Sequence, residues 1–116
     1  MSATEDLLYE MERGFWLEGP EFYLANSDDS CLVCFPGMVR VLSAGELAQT
    51  VSAGPRWRDL EIEPKGSVQP ASSVVVIAYE GSARRGEEPR YRAAVSSGYV
   101  NRGGKWKLAW HQQTPL

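Results

Sequence analysis

His111 is the only histidine in the chain, and its side chain is the one best suited to acid-base chemistry near neutral pH. Side chains alternate between the two faces of a strand, so Gln113 shares the His111 face. An imidazole supported by Gln113 and Ser96 could hydrogen-bond a ligand or act as a general base. The alternative is a histidine that is only hydrogen-bonded within a sheet. A multi-histidine metal site is excluded, and we expect neither a metal nor another cofactor.

Cys31 and Cys34 form a C-x-x-C sequence, but the segment around them has the apolar character of a strand. Redox pairs with this spacing act at a helix N-terminus, where the thiolate is stabilised. Residues three apart on a strand point to opposite faces and lie about 10 Å apart, which is beyond disulfide reach. We therefore expect two free core cysteines, which favours a reducing, cytoplasmic location.

A cluster of charges surrounds Gly86, and its signs are mixed. Its members are Arg84, Arg85, Glu87, Glu88, Arg90 and Arg92. No series of aromatic residues accompanies them, and the whole chain carries a net charge of -3. A negative long-range field repels phosphate backbones and anionic lipid. We expect a solvated hairpin loop, with neither nucleic acid nor membrane as a partner.

The length of 116 residues predicts one domain, spanning residues 1–116, with a single core. Large multidomain enzymes are excluded. No run of about 18 apolar residues occurs, and the N-terminal segment carries Glu5 and Asp6 where a secretory signal would be basic and then apolar.

Helical signals are concentrated in the first half of the chain. Leu7, Leu8, Met11 and Phe15 form one stripe of a predicted helix over 4–17. Pro20 suits the first turn of a short helix ending near residue 25, and a third helix is predicted from Ser43 to about Val51. Ser2 with Glu5 and Ser43 with Glu46 both have the spacing of a capping box.

Strand signals dominate the rest of the chain. Strands are predicted over 31–35, 39–42, 57–62, 73–83, 90–100 and 105–113, with a turn at 26–29 and a loop at 65–72. Helices followed by an antiparallel meander predict an α+β fold, in which the helices cover one face of a curled sheet. Such an arrangement leaves a cone-shaped cavity, the default place for a ligand.

This order of elements resembles the nuclear transport factor 2-like superfamily, also called SnoaL-like, over essentially the whole chain. The segments that carry the resemblance are Ser27–Asp29, Phe35–Gly37, Val95–Val100, Gly104–Leu108 and Trp110–Pro115. The C-terminal segment is similar to that of a bacterial branch, the domain of unknown function 4440 family. The superfamily includes isomerases, dehydratases, polyketide cyclases, epoxide hydrolases and non-catalytic binders, so the fold alone does not define a function.

The resemblance implies where catalytic groups of ketosteroid isomerases would lie. Their general-base aspartate corresponds to Phe35, their oxyanion-hole aspartate to about Ser96, and their oxyanion tyrosine to a position near Glu12. None of the three groups is present, which argues against isomerase chemistry. The Asp-Arg-Asp set used by related epoxide hydrolases is also absent from the predicted sheet interior.

The same alignment turns the His111 face toward the cone, and several aromatic residues are expected to form its wall. The predicted ligand-binding residues are Trp16, Tyr23, Phe35, Trp57, Tyr79, Ser96, His111 and Gln113. Alternation puts Tyr79 and Glu80 on opposite faces of their strand and does not decide which faces inward.

We therefore expect a domain that binds a mostly apolar small molecule. The alternatives are a small enzyme of cyclase, dehydratase or isomerase type that uses His111 as acid or base, and a non-catalytic association module. A homodimer is expected because relatives pair through the sheet and because Trp106, Leu108 and Trp110 would form an apolar outer face. A different partner chain remains an alternative.

Overall fold

Three short helices lie at the N-terminal side of the fold in the computed structural model, which describes residues 2–116. They are α1 (Ala3–Leu17), α2 (Pro20–Asn26) and α3 (Ala44–Gln49). Both predicted capping boxes are confirmed: Ser2 and Glu5 exchange hydrogen bonds at the start of α1, and Ser43 and Glu46 do so at α3. Each box satisfies backbone N–H groups that have no partner within the helix.

Six strands form a single sheet in the order β2-β1-β6-β5-β4-β3. The strands are β1 (Ser27–Phe35), β2 (Met38–Ser43), β3 (Arg58–Ala71), β4 (Val74–Arg84), β5 (Tyr91–Arg102) and β6 (Lys105–Pro115). All neighbouring pairs are antiparallel except β1 and β6, which run parallel. The α+β architecture is confirmed, with a sheet that is mostly rather than wholly antiparallel.

Two local predictions were wrong. The predicted turn at 26–29 is the start of β1, because the chain passes from α2 into the strand at Ser27. The predicted loop at 65–72 is the second half of β3, which pairs with β4 as far as Ala71. Polar residues and Pro64 hid this strand, since it is an edge strand whose outer half is exposed.

A β-bulge at Ala109 reverses the alternation of β6. Leu108 pairs with Tyr99 and Trp110 pairs with Gly98, so Ala109 has no partner on β5. Leu108 consequently lies on the inner face together with His111, and it is 3% exposed. The predicted outer face of Trp106, Leu108 and Trp110 is therefore wrong: Trp106 also packs against the core, and Trp110 alone remains on the outer side.

The core lies between the inner face of the sheet and the helices. It includes Leu8 and Trp16 of α1, Ile77 and Tyr79 of β4, and Tyr99 of β5. None of the described helices is long and apolar enough to cross a lipid bilayer.

Candidate functional site

A cavity of about 620 Å³ opens between the helices and the inner face of the sheet. Its apolar wall comes from α1, α2, α3, β1 and the segment after α3. Six of the predicted site residues line it: Trp16, Tyr23, Phe35, Trp57, His111 and Gln113. The size suits a small organic ligand, because such sites typically measure about 300–1,000 Å³.

Ser96 does not lie in this cavity. It sits on the outer face of β5, where its hydroxyl donates to Gln112 Oε1 at 2.8 Å. Ser97, the next residue, occupies the inner face and is fully buried. The resemblance placed the functional position at about Ser96, and a shift of one residue on a strand moves a side chain to the opposite face.

Tyr79 faces inward, which resolves the choice between Tyr79 and Glu80, but it lies beneath the cavity wall. It is 2% exposed, and its hydroxyl is held between two partners. Trp16 Nε1 donates to it at 2.9 Å, and the hydroxyl donates to Glu12 Oε1 at 2.5 Å. Its hydrogen-bonding capacity is thus used within the protein, so its role is to support the site.

Glu12 is the buried centre of the site, with no exposed surface. Its Oε1 accepts hydrogen bonds from Tyr79 and from Ser97, the latter at 2.9 Å, and its Oε2 accepts one from Tyr99. Burying a carboxyl group is costly unless hydrogen bonds replace its hydration. Three hydroxyl donors from β4 and β5 therefore fix this α1 side chain against the sheet.

The network continues from Glu12 to the cavity through His111. Ser97 Oγ lies 2.7 Å from His111 Nδ1, and Gln113 Nε2 lies 3.0 Å from His111 Nε2. Because the Ser97 hydroxyl donates its one proton to Glu12, it must be the hydrogen-bond acceptor in its contact with His111 Nδ1. The neutral imidazole is then protonated at Nδ1, and its Nε2 lone pair accepts from the Gln113 amide.

Gln113 is itself oriented by Tyr91, whose hydroxyl donates to Gln113 Oε1 at 3.0 Å. The resulting donor and acceptor directions agree along the whole chain from Tyr91 to Glu12. A buried network in which every member is satisfied holds its side chains in one arrangement. His111 Nε2 thus has a fixed orientation at the cavity, and the Gln113 amide occupies its one lone pair.

Burial lowers the pKa of His111 below its ordinary value, and the neighbouring Glu12 opposes this shift. The imidazole is therefore neutral at pH 7. Burial, followed by the proximity of Glu12, raises the pKa values of the Tyr79 and Tyr99 hydroxyls well above 10. Both tyrosines keep their protons and act as donors to the carboxyl group.

One side of the cavity is a stack of aromatic rings. Trp57 stacks on Tyr91 with ring centroids 5.3 Å apart, and it meets Trp16 edge-on at 5.4 Å. Phe35 of β1 lies 5.4 Å from the His111 ring on another side. These rings provide a large, rigid apolar surface that loses little entropy when a ligand binds.

Arg56 lines the cavity beside the C-terminus of α1, where several hydrogen bonds hold it. Its guanidinium donates to the carbonyl oxygens of Phe15, Trp16 and Glu18 and to the Tyr23 hydroxyl. A cation at the C-terminus of α1 complements the helix dipole. Burial raises the pKa of Tyr23 to about 12, so this hydroxyl also remains protonated.

Two further arginines come from the loop that was expected to be solvated. Arg85 and Arg90 both line the cavity, as does Glu88 between them. The Arg85 guanidinium carbon lies 4.3 Å from the centre of the Trp57 ring, and Arg90 Nη1 donates to Ser82 Oγ at 2.8 Å. The hairpin between β4 and β5 therefore forms part of the cavity wall.

The cysteines do not contribute to the cavity. Cys31 is buried and Cys34 is partly exposed, and both are free thiols. Burial raises the pKa of Cys31 to about 12, so its reactive thiolate is not formed near neutral pH. Within residues 2–116, no cluster of three or more His, Cys, Asp or Glu side chains could hold a metal ion.

Glu12, Ser97 and Tyr99 were not predicted as site residues, although one of them left a signal in the sequence. Glu12 lies one helical turn after Leu8 and three residues before Phe15, so it falls on the buried stripe of α1. A charged residue at such a position needs partners across the core. Nothing in the sequence alone identifies those partners, because they come from β4 and β5.

Searches for sequence relatives gave no match, either to a protein-family model or to a curated protein. Solved structures do match. An NTF2-like protein of unknown function from Prochlorococcus marinus has a TM-score of 0.76 and 21% identity, covering 99% of this chain and 94% of that one.

Two further structures carry provisional enzyme assignments. One, from Parabacteroides distasonis, is provisionally a ketosteroid isomerase, with a TM-score of 0.75, 14% identity and coverage of 94% and 85% of the two chains. The other, from Novosphingobium aromaticivorans, is provisionally a scytalone dehydratase, with a TM-score of 0.71, 14% identity and coverage of 98% and 82%. The chain therefore has the NTF2-like α+β fold, a fold shared by proteins with different assigned activities.

Proposed function

We propose that this chain binds a small, mostly apolar molecule in the cavity, with His111 and Gln113 as its polar contacts. The observation that carries the proposal is a cavity of about 620 Å³ in which an oriented imidazole nitrogen is surrounded by aromatic and aliphatic walls. Buried apolar surface would supply affinity, and the few polar groups would fix the orientation of the ligand.

Native mass spectrometry of freshly purified protein tests this proposal first, because a bound metabolite would add a defined mass. A titration with 1-naphthol, followed by tryptophan fluorescence, provides a second test, since Trp16 and Trp57 line the cavity. Val51→Trp should weaken naphthol binding at least tenfold by filling the cavity. Val68→Trp, on the exposed part of β3, is the matched control. Equal binding by both variants would contradict the proposed site.

A second candidate function is acid-base catalysis by His111. It is supported by the hydrogen-bonded series Glu12, Ser97 and His111, which places the basic nitrogen at Nε2. Proton abstraction there would require the Gln113 amide to release the Nε2 lone pair. The provisional isomerase and dehydratase assignments of two structures with this fold agree with such chemistry. The aspartate base of the isomerases is absent, so any proton transfer would fall to the imidazole.

Binding and catalysis differ in what His111→Gln should change. Under catalysis, this variant would keep the affinity for a co-purifying compound within a few-fold and lose its turnover. Under binding alone, no turnover is found with the wild-type protein and the variant only weakens affinity. Chromatography of the compound before and after incubation with each protein separates these two outcomes.

We also propose that the chain forms a homodimer through the outer face of the sheet. Leu32, Val41 and Trp110 lie side by side on β1, β2 and β6, and the first two are 46% and 64% exposed. An exposed apolar stripe of this kind favours pairing. Sedimentation velocity should show a dimer that Val41→Asp dissociates and Val68→Asp does not; a monomeric wild type would contradict it.

Two further expectations remain part of this proposal. The free thiols of Cys31 and Cys34 support a cytoplasmic location, because thiols persist in reducing compartments. The C-terminal segment Trp110–Pro115 supports membership of the domain of unknown function 4440 branch.

A further inference from the structure

The residues that line the cavity carry a net positive charge. Three arginines line the cavity, Arg56, Arg85 and Arg90, against one carboxylate, that of Glu88. This excess stands out in a chain whose net charge is -3. His111 is neutral and adds no charge, so the arginines give the lining its positive sign.

The three arginines differ in how far the protein already uses them. Arg56 donates to three carbonyl groups and one hydroxyl, and it is therefore occupied. Arg90 donates to Ser82 with one nitrogen. Arg85 stacks on Trp57, and no residue in 2–116 accepts a hydrogen bond from it or forms a salt bridge with it.

The Arg85 guanidinium lies over the Trp57 ring, which restricts its position, and its N–H groups have no partner within residues 2–116. A planar guanidinium with a free edge matches a carboxylate in a bidentate arrangement. A lysine could not replace it here, because an ammonium group offers neither the flat stacking surface nor the paired donors. Arg90 lies on the same hairpin and can add a second charge.

We propose that the ligand is an amphipathic carboxylate, with its apolar body against the aromatic wall and its anionic group at Arg85 and Arg90. This inference rests on the proposed small-molecule function and names the chemical class of the ligand. The Glu88 carboxylate attracts a cationic head group and repels an anionic one, so the preference for a carboxylate requires that Arg85 and Arg90 outweigh it.

Matched probes that differ only in the head group test the inference. Calorimetry with octanoate against octanol, and with 2-naphthylacetate against 2-naphthylethanol, should show each acid binding at least tenfold more tightly than its alcohol. Arg85→Gln should remove most of this preference, because it should weaken binding of each acid at least tenfold more than binding of its alcohol. Arg84→Gln, an exposed neighbour that does not line the cavity, carries the same charge change and should have no effect.

The outcomes distinguish the two proposals. If acid and alcohol of both pairs bind equally, the carboxylate inference is overturned and the small-molecule function stands. If Arg84→Gln reduces the preference as much as Arg85→Gln does, the effect is a general charge effect and the assigned site is wrong. If no member of either pair binds, the proposed function itself fails. Tighter binding of octylamine than of octanoate would reverse the inferred sign.

Discussion

Glu12 Oε1 and His111 Nδ1 lie 3.7 Å apart, and the Ser97 hydroxyl bridges them. The bridge joins a helix to two strands, because Glu12 belongs to α1 whereas Ser97 and His111 are paired across β5 and β6. A single hydroxyl can donate to one partner and accept from the other, so it sets the imidazole tautomer at the cavity. The same contact also anchors α1 on the sheet.

Ser97→Ala should destabilise the protein by about 1–3 kcal/mol, since it leaves Nδ1 of the buried imidazole without its partner and removes one donor from Glu12. Ser96→Ala is the matched control on the opposite face, and it should cost less than about 1 kcal/mol. Urea denaturation of both variants measures the difference in unfolding free energy. Equal losses would show that the bridge contributes nothing specific.

Tyr99→Phe should cost about 2 kcal/mol of unfolding free energy, because it removes a donor from a fully buried carboxyl group and leaves the ring in place. Tyr91→Phe removes a hydroxyl that is only partly buried at Gln113, and its cost should be about 1 kcal/mol or less. Thermal and urea denaturation can compare them. A Tyr99→Phe protein as stable as the wild type would mean that Glu12 does not need this donor.

The sequence was informative where local rules decide the structure. Capping residues at Ser2 and Ser43 located two helix starts, and the β-branched run from Val74 to Ile77 indicated the strand β4. The sequence was less informative where pairing with a distant segment of the chain determines the local conformation. The bulge at Ala109 moved Leu108 to the inner face, and pairing with β4 extended β3 to Ala71. Neither event leaves a local signal.

In the candidate site, too, features set by local patterns were predicted and features set by distant contacts were missed. His111 and Gln113 follow the bulge, so their shared face was predicted correctly from alternation, and both line the cavity. Ser97 was missed in favour of Ser96, because an alignment uncertain by one residue reverses the face of a strand. Arg85 was assigned to a solvated loop, since its contact with Trp57 depends on how the hairpin folds back over the cavity.

Gly14→Ala should destabilise the protein although alanine favours a helix. A Cβ at residue 14 would lie 2.1 Å from the nearest ring atom of Phe22, so the ring must move. Overpacking of this kind costs about 1–3 kcal/mol, which outweighs a gain of up to about 1 kcal/mol in helix propensity.

Gly45→Ala in α3 provides the control for this substitution. A Cβ there has no atom closer than 4.0 Å, so the variant should be neutral or more stable by a few tenths of a kcal/mol. Thermal unfolding should therefore shift in opposite directions for the two glycines. A stabilised Gly14→Ala protein would show that Phe22 moves aside at little cost.

The stability of the protein should fall as the pH drops below about 6.5, the ordinary pKa of histidine. Burial lowers the pKa of His111 in the folded state, so in this range the unfolded chain binds a proton that the folded chain does not. Acid therefore favours unfolding, and the unfolding free energy falls with decreasing pH by up to about 1.4 kcal/mol per pH unit for one proton. The stability that His111 contributes is fully present above the pKa of histidine in the unfolded chain, and it declines until the pH reaches the pKa of His111 in the folded protein.

His111→Gln should remove this slope from urea-denaturation data between pH 7 and pH 5, whereas Gln113→Ala should retain it because the imidazole stays buried. If the wild type and His111→Gln lost stability in parallel, the buried imidazole would not be the group that is titrated.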